Sequence, residues 1–316
     1  MDRSLALEVA RVTEAAALAS ARLMGRGDEA GADQAAVEAM RRAFNAIAVG
    51  GTVVIGEGSQ EQTPALYVGE RIGGAEVTTE VALDALEDAS ITATGGPGAM
   101  SIIAIAEPGV FFQCPDSYMD KIAVGPEGRG VIDITRSPTD NLKALAEAKG
   151  VYVEDLTVAV LERPRHGKLI REVRNAGARI KLLSAGDLSA ALATTRPKSG
   201  IDISMGVGGG HQGVLAAAAL RCAGGDMQAR MAPLTHDERD RCYAAGLTDL
   251  HTIYKLDDLV RGDVMFAATG VTNGDFLDGV RFFRGGATTN SVVMRSQTRT
   301  VRFMHTTHHF DFKPEY

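Results

Sequence analysis

Three carboxylates fall within five residues in Val81-Ala-Leu-Asp84-Ala-Leu-Glu87-Asp88-Ala-Ser90, directly after an apolar run that reads as a buried strand. Carboxylates leaving a strand end together repel one another, and a nearby cation is the usual remedy. On a turn that opens into a helix, the spacing of Asp84 and Glu87 puts both on one side. Two further acidic points lie upstream: Asp33 ahead of an amphipathic segment, and Glu57 in Val53-Val-Ile-Gly-Glu57-Gly. Hard divalent ions such as Mg²⁺ or Mn²⁺ take oxygen ligands of this kind and share them with substrate phosphates. The competing reading of the cluster is a solvated helix start, where acidic side chains suit the positive end of the helix dipole. Asp33 fits a helix N-cap at least as well as a ligand.

Three loops further along suit an anion. Met205-Gly-Val-Gly-Gly209-Gly-His211-Gln212-Gly213 follows a strand pattern and opens a helical one, so its backbone N–H groups can approach a phosphate, although tight packing demands glycine as well. Its spacing departs from the dinucleotide fingerprint, and no acidic ribose partner follows it. Arg163-Pro-Arg165-His166 and Ser184-Ala-Gly186-Asp187 each end a strand pattern, the place where α/β sheets bind ligands. Two arginines suit phosphate, and a solvated basic loop is the plainer alternative. His305, His308 and His309 lack a Cys or Glu framework for zinc and read as a surface strand end.

The elements that must carry these groups are visible in the apolar periodicity. Leu5, Val9, Val12, Ala16, Ala19 and Leu23 form one helical face, broken by Gly25-Arg-Gly-Asp28. A second helix is expected from about Asp33 to Ala48, then a short strand at Thr52 to Ile55. Strands are expected at 77–83, 100–106, 110–113, 122–124 and 131–134, and a helix at 141–149. Strands at 156–161, 179–184 and 201–207 then alternate with helices near 168–175, 188–193 and 214–222, a rhythm that favours a parallel or mixed sheet covered by helices. Short strands return from Val264. A domain division falls near 135–155.

At 316 residues the chain exceeds the size at which single cores usually stop growing. Its net charge of −7 offers no concentrated basic face, which excludes a general nucleic-acid surface. No apolar stretch approaches the roughly 20 residues of a membrane span, and the helical, acidic N-terminus is unlike a signal peptide. Cys114, Cys222 and Cys242 form no CxxC motif, in keeping with a reduced, cytoplasmic setting.

With Arg11-Val-Thr-Glu14-Ala-Ala, Gly25-Arg-Gly-Asp28, Val54-Ile-Gly-Glu57-Gly, Pro115-Asp-Ser-Tyr118-Met, Pro164-Arg-His166 and Ala268-Thr-Gly270, the chain resembles the class II fructose-1,6-bisphosphatases. These are the glycerol-metabolism branch of the lithium-sensitive, metal-dependent sugar phosphatases. The likeness spans almost the whole chain. It implies an α/β protein with a layered αβαβα sugar-phosphatase fold of two mixed-sheet subdomains, a metal-binding one over residues 1–140 and a phosphosugar-binding one over 141–316. It implies hydrolysis of the 1-phosphate of fructose 1,6-bisphosphate with Mg²⁺ or Mn²⁺, and a homodimer or homotetramer. Asp33 and Glu57 would hold one metal and Asp84 and Glu87 another. Tyr118, Arg163, Arg165, His166, Gly186, Asp187 and Gly209 would line the phosphosugar pocket.

Departures from the family pattern fall on the reactive centre. The family's Asp-Pro-Ile-Glu-Gly-Thr reads Asp84-Ala-Leu-Glu87-Asp88-Ala89 here, so the threonine hydroxyl that helps to position water is missing. Ser90 stands one step further along, about 100° away on a helix. Gln212 replaces a metal-binding glutamate beside His211 and is expected to remain a metal ligand through its amide oxygen, without the charge, and Ser59 replaces an acidic residue. Glu61 replaces the aspartate that assists the water and keeps its carboxylate; Glu29, Arg163 and Ala185 replace a lysine, a lysine and an aspartate. Asp88 is expected to supply the charge lost at Gln212 as a metal ligand. Glu61 and Glu87 are the expected catalytic carboxylates. The alternatives are a catalytically silent homologue that binds or senses a sugar phosphate, and a phosphosugar enzyme of another reaction type with His211 as an acid-base group.

Overall fold

The computed structural model describes residues 5–312. The chain runs α1 (Leu5–Ala21), α2 (Glu29–Asn45), β1 (Gly50–Ile55), β2 (Arg71–Ile72), β3 (Val77–Glu87), α3 (Ala89–Thr94) and β4 (Met100–Ala106). It continues through β5 (Tyr118–Val124), α4 (Pro138–Lys149), β6 (Thr157–Leu161), α5 (Gly167–Asn175), β7 (Arg179–Leu183), α6 (Asp187–Ala193), β8 (Ile203–Gly209) and α7 (Gly210–Ala223). There follow β9 (Asp226–Met231), α8 (His236–Ala244), β10 (Tyr254–Lys255) and α9 (Leu256–Leu259), and finally β11 (Val264–Gly270), β12 (Arg281–Phe283), β13 (Gly286–Arg295) and β14 (Thr300–His309). The α/β class expected from the alternation of elements is the class observed.

Two compact units result: Met1–Phe111 with Gly262–Tyr316, and Phe112–Arg261. The single cut near 140 is therefore replaced by a discontinuous first unit. The cause is pairing at a distance, since β11 lies antiparallel to β4 in the register Met265↔Ile105 and so returns the tail to the first sheet.

The first unit's sheet has the order β12-β13-β11-β4-β3-β1-β2, with β14 pairing β13. It is mixed, because β1 and β3 are parallel whereas β3, β4, β11 and β13 are successively antiparallel. β4 and β11 are buried along their whole length, as their predominantly apolar sequences require of central strands; Ser101 and Thr269 are the polar residues buried with them. Helix α1 packs on β4, β11 and β13 and against α2, with Val9, Val12, Ala16 and Ala17 inward. The tail strands β13 and β14 are ten residues each, longer than expected, and β14 leaves Val301 and Phe303 exposed. His308, read as part of a surface strand end, is buried and hydrogen-bonds Thr289 Oγ1 through Nε2 at 2.8 Å.

The second unit's sheet has the order β10-β9-β5-β8-β6-β7, parallel at β6–β7 and β6–β8 and antiparallel elsewhere. Alternation divides its faces. Ile122, Val124, Val158, Val160, Ile203 and Met205 join one core cluster with Leu142 and Leu145 of α4 and Val173 of α5. α6 and α7 pack on the same strands, where the alanine run of α7 lets that helix sit close. Two expected strands are absent. Residues 131–134 form a loop whose Ile132 reaches the core, and 110–113 contain only an isolated bridge. β9, with its Asp-Met-Gln-Ala-Arg-Met alternation, and the polar helix α8 were not foreseen.

Phe266 in β11 is fully buried. Phe266→Ala should lower stability by about 3 to 5 kcal/mol, whereas Phe303→Ala at the exposed β14 should change it little; chemical denaturation of the two variants checks both.

Candidate active site

Asp33, Glu57 and Asp84 are brought within electrostatic reach of one another in the first unit. Asp33 lies in the second turn of α2, which starts earlier than expected because Asp28 is its N-cap and accepts from Gly31 N–H at 2.9 Å. Asp33 is thus not the cap, and its side chain is left to other uses. Glu57 stands two residues past β1, where its N–H donates to Leu66 O at 3.0 Å and its Oε1 accepts from Ala85 N–H at 2.8 Å. That second bond ties the end of β1 to β3.

β3 continues through Glu87, so Asp84 and Glu87 belong to the strand and not to a turn after it. The register against β4 breaks between Asp84 and Glu87, and that against β1 breaks between Val53 and Ile55. Both irregularities sit beside the acidic residues, the usual place for bulges that re-aim side chains. Glu87 is buried. Burial and then the charge on Asp84 push the Glu57 carboxyl up to about 8; the Ala85 N–H opposes this, and Asp33 adds a weaker push. Burial also raises Asp33.

The donor chemistry fits a hard divalent cation, since it is carboxylate oxygen throughout and the crowding is of the kind such an ion would relieve. The expected convergence is only partial. Among the described residues no three acidic, His or Cys side chains meet closely enough to grip one ion, as like charges held apart by their own repulsion would not.

Asp88 has a structural task. Its φ is +74°, a left-handed conformation that suits the family's glycine at this place and that Asp tolerates better than most residues. Its Oδ1 caps α3, accepting from Ile91 N–H at 3.1 Å and from Ser90 Oγ–H at 2.5 Å. The expected metal ligand therefore has one oxygen occupied, and the Ser90 hydroxyl is turned to Asp88. Glu61 is exposed in the loop after β1, and its side chain makes no hydrogen bond or ion pair among the described residues.

The second unit gathers most of the expected phosphosugar residues. Tyr118 pairs with Gly209 across β5 and β8. Arg165 lies over the Tyr118 ring at 5.2 Å and donates from Nε and Nη2 to Val207 O at 3.2 and 2.8 Å. Arg163 donates to Glu162 O at 3.0 Å. Gly186, at φ +81°, precedes α6, whose first residue is Asp187. A Cβ on Gly209 would collide with Gln212 Oε1, so the amide lies against the glycine.

His166 differs from expectation. It is buried, its Nδ1–H donates to Leu161 O at 2.7 Å, and its Nε2 accepts from Val207 N–H at 2.8 Å. Both ring nitrogens are spent on backbone, so the ring braces the loop instead of offering a donor to phosphate. Burial, opposed by the Leu161 bond, lowers its pKa and keeps it neutral. Gly206 at φ +126° lets β8 pass over the ring, where a Cβ would stand 2.9 Å from Nε2. His211 is likewise engaged, with Nε2 3.0 Å from Cys114 O.

Lys121 was missed. Its Nζ donates to Asp187 Oδ2 and to Gly209 O, the latter at 2.8 Å, with the side chain only 10% exposed. The pair offsets a negative charge that would otherwise repel phosphate from these turns. The signal was present: a lysine amid Met119, Ile122, Ala123 and Val124 of a buried strand needs a partner.

A sequence model described as bacterial fructose-1,6-bisphosphatase, glpX-encoded, matches residues 3–308. The chain is 42% identical to the D-fructose 1,6-bisphosphatase class 2/sedoheptulose 1,7-bisphosphatase of Synechococcus elongatus, over 98% of each chain. It is equally similar to the protein of that name in a second Synechococcus strain, and 42% identical to that of a third over 98% of this chain and 96% of the relative.

Two outcomes follow from this geometry. The Glu57 carboxyl binds its proton more tightly folded than unfolded, so in metal-free protein its contribution to stability is full below about pH 4.5 and is lost as pH rises through about 8. Urea unfolding in chelator should show that decline, and Glu57→Gln should flatten it. Asp88→Gly should hold stability within about 0.5 kcal/mol, since glycine relieves the positive φ and caps nearly as well. Asp88→Ala, which loses the cap and keeps the strain, should cost about 1 to 3 kcal/mol by the same measurement.

Proposed function

The chain belongs to the glpX-encoded bacterial fructose-1,6-bisphosphatase family, and from that premise we propose that it is a divalent-metal-dependent sugar bisphosphate phosphatase. Fructose 1,6-bisphosphate is the first substrate to expect and sedoheptulose 1,7-bisphosphate, named for the relatives, the second. Water attacks the 1-phosphoryl group, the bond from phosphorus to the sugar oxygen breaks, and that oxygen leaves with a proton, giving fructose 6-phosphate and phosphate. The reading is supported above all by the Glu57 carboxyl, forced up by burial and by Asp84 in a way that a bound cation would reverse.

Asp33, Glu57, Asp84 and Glu87 are the residues that would hold Mg²⁺ or Mn²⁺. The ion would supply Lewis-acid stabilisation of the phosphoryl oxygens and activate water. Glu61 orients the water from its loop. Tyr118, Arg163, Arg165 and Gly209 line the phosphosugar pocket, while His166 and the Lys121–Asp187 pair keep those turns in place. Among the described residues no helix is long and apolar enough to cross a membrane. A cytoplasmic homodimer or homotetramer, working in gluconeogenesis or related sugar-phosphate metabolism, completes the proposal.

One observation favours a second reading, a homologue that binds a phosphosugar without turnover. Ala89 stands at the family's threonine, and the nearest hydroxyl, that of Ser90, is bound to Asp88. Phosphate release from fructose 1,6-bisphosphate with Mn²⁺ separates the two. Turnover that chelator abolishes, that Mn²⁺ restores, and that Glu57→Gln or Asp84→Asn lowers at least about a hundredfold supports the phosphatase. Tight calorimetric binding of the sugar phosphate with no release supports the silent homologue, and neither turnover nor binding sinks both.

A further inference from the structure

Glu70 is a buried carboxylate to which the phosphatase reading gives no task. It closes the loop that leaves β1, and its two oxygens serve distant parts of the first unit. Oε1 accepts from Arg41 Nε of α2 at 2.8 Å, and Oε2 accepts from the backbone N–H of Leu66. The Glu70 side chain is only 6% exposed, so this pairing is sheltered from solvent on the carboxylate side although Arg41 is half-exposed.

Leu66 is the unusual residue in this chain of contacts. It is fully buried at φ +57°, a left-handed conformation that L residues other than Asn and Asp seldom adopt. In that conformation its carbonyl accepts the Glu57 N–H at 3.0 Å. A Cβ at Gly56 would stand 2.2 Å from the same oxygen, so the two backbones lie in contact. Two further bonds close the neck of the loop, from Val68 N–H to Gly58 O at 2.9 Å and from Gly69 N–H to Val53 O at 2.8 Å, and Glu61 stands in the loop so closed.

A leucine keeps such a conformation only where its surroundings enforce it. The Glu70 carboxylate is suited to do so, because a hydrogen bond to an ionised acceptor is stronger than one between neutral groups. Both oxygens are spent on donors, which an amide cannot imitate: glutamine offers one oxygen and one NH₂, and leaves either Leu66 N–H or Arg41 facing another donor.

We propose that Glu70 is a positioning residue for the carboxylate site. It fixes Leu66, Leu66 O fixes the Glu57 backbone, and Arg41 ties both to the helix that carries Asp33. Glu70 acts through these residues and is not itself a ligand. The role rests on the reading of Glu57 and Asp33 as metal ligands.

The test uses the full chain with Glu70→Gln, Arg41→Gln and Arg41→Lys, each checked for folding by thermal melts. Amide hydrogen exchange in chelator, resolved to Glu57 and Leu66, reads the backbone link, and calorimetric titration with Mn²⁺ reads the site. Glu70→Gln should speed exchange at both amides and weaken Mn²⁺ binding, each about tenfold, as the loss of one charge-assisted hydrogen bond predicts. Arg41→Gln should act in the same direction by about threefold, since its partner is half-exposed, and Arg41→Lys should restore wild-type behaviour. Should Glu70→Gln fail to fold, the two Arg41 variants decide. Phe266→Ala, which loosens the core elsewhere, should leave Mn²⁺ affinity unchanged. The proposal is overturned if either readout keeps its wild-type value in Glu70→Gln, or if Phe266→Ala weakens Mn²⁺ binding as much, which would reduce the effect to general destabilisation. Wild type that binds no Mn²⁺ overturns this role together with the phosphatase reading. Weakened Mn²⁺ binding and faster exchange in a protein that releases no phosphate from fructose 1,6-bisphosphate uphold the role and sink the phosphatase reading alone.

Discussion

The crowding of like charge at the ends of β1 and β3 is the constraint on which the first unit turns. The parallel pairing of β1 and β3 brings Glu57, just past β1, within electrostatic reach of Asp84, α2 adds Asp33, and the Ala85 N–H offsets part of the repulsion. Such a grouping is costly unless something else repays it. Two register breaks and a left-handed aspartate lie within a few residues, so the strands depart from regularity where the carboxylates stand.

The second unit solves the opposite problem. It keeps positive charge available on turns after strands while holding those turns still, and it does so with neutral or neutralised braces. His166 stays uncharged between two backbone groups, and Lys121 cancels Asp187. The arginines are then the groups left to meet an anion.

Much of this was legible in the chain. Apolar periodicity located α1, β4, β6 and α5 closely, because their buried faces are uninterrupted. It failed where burial is not written as an apolar run: β9 alternates with charged residues, and α8 is polar almost throughout. The loop at 131–134 has strand-like composition but spends its apolar residues on the core without a neighbouring strand to pair with. The candidate site residues were named from charge, spacing and the family resemblance. Their local duties were not, because the cap at Asp88, the two bonds of His166 and the partner of Lys121 depend on backbone direction and on residues far away in sequence.

The β4–β11 pairing has a kinetic consequence. The whole second unit lies between these strands in sequence, so during synthesis it has all its own contacts while the first unit still lacks a central strand. Until β11 emerges, β4 is an unpaired edge, apolar but for Ser101, the kind that seeks other chains. The first sheet is completed last, when the tail lays β11 beside β4.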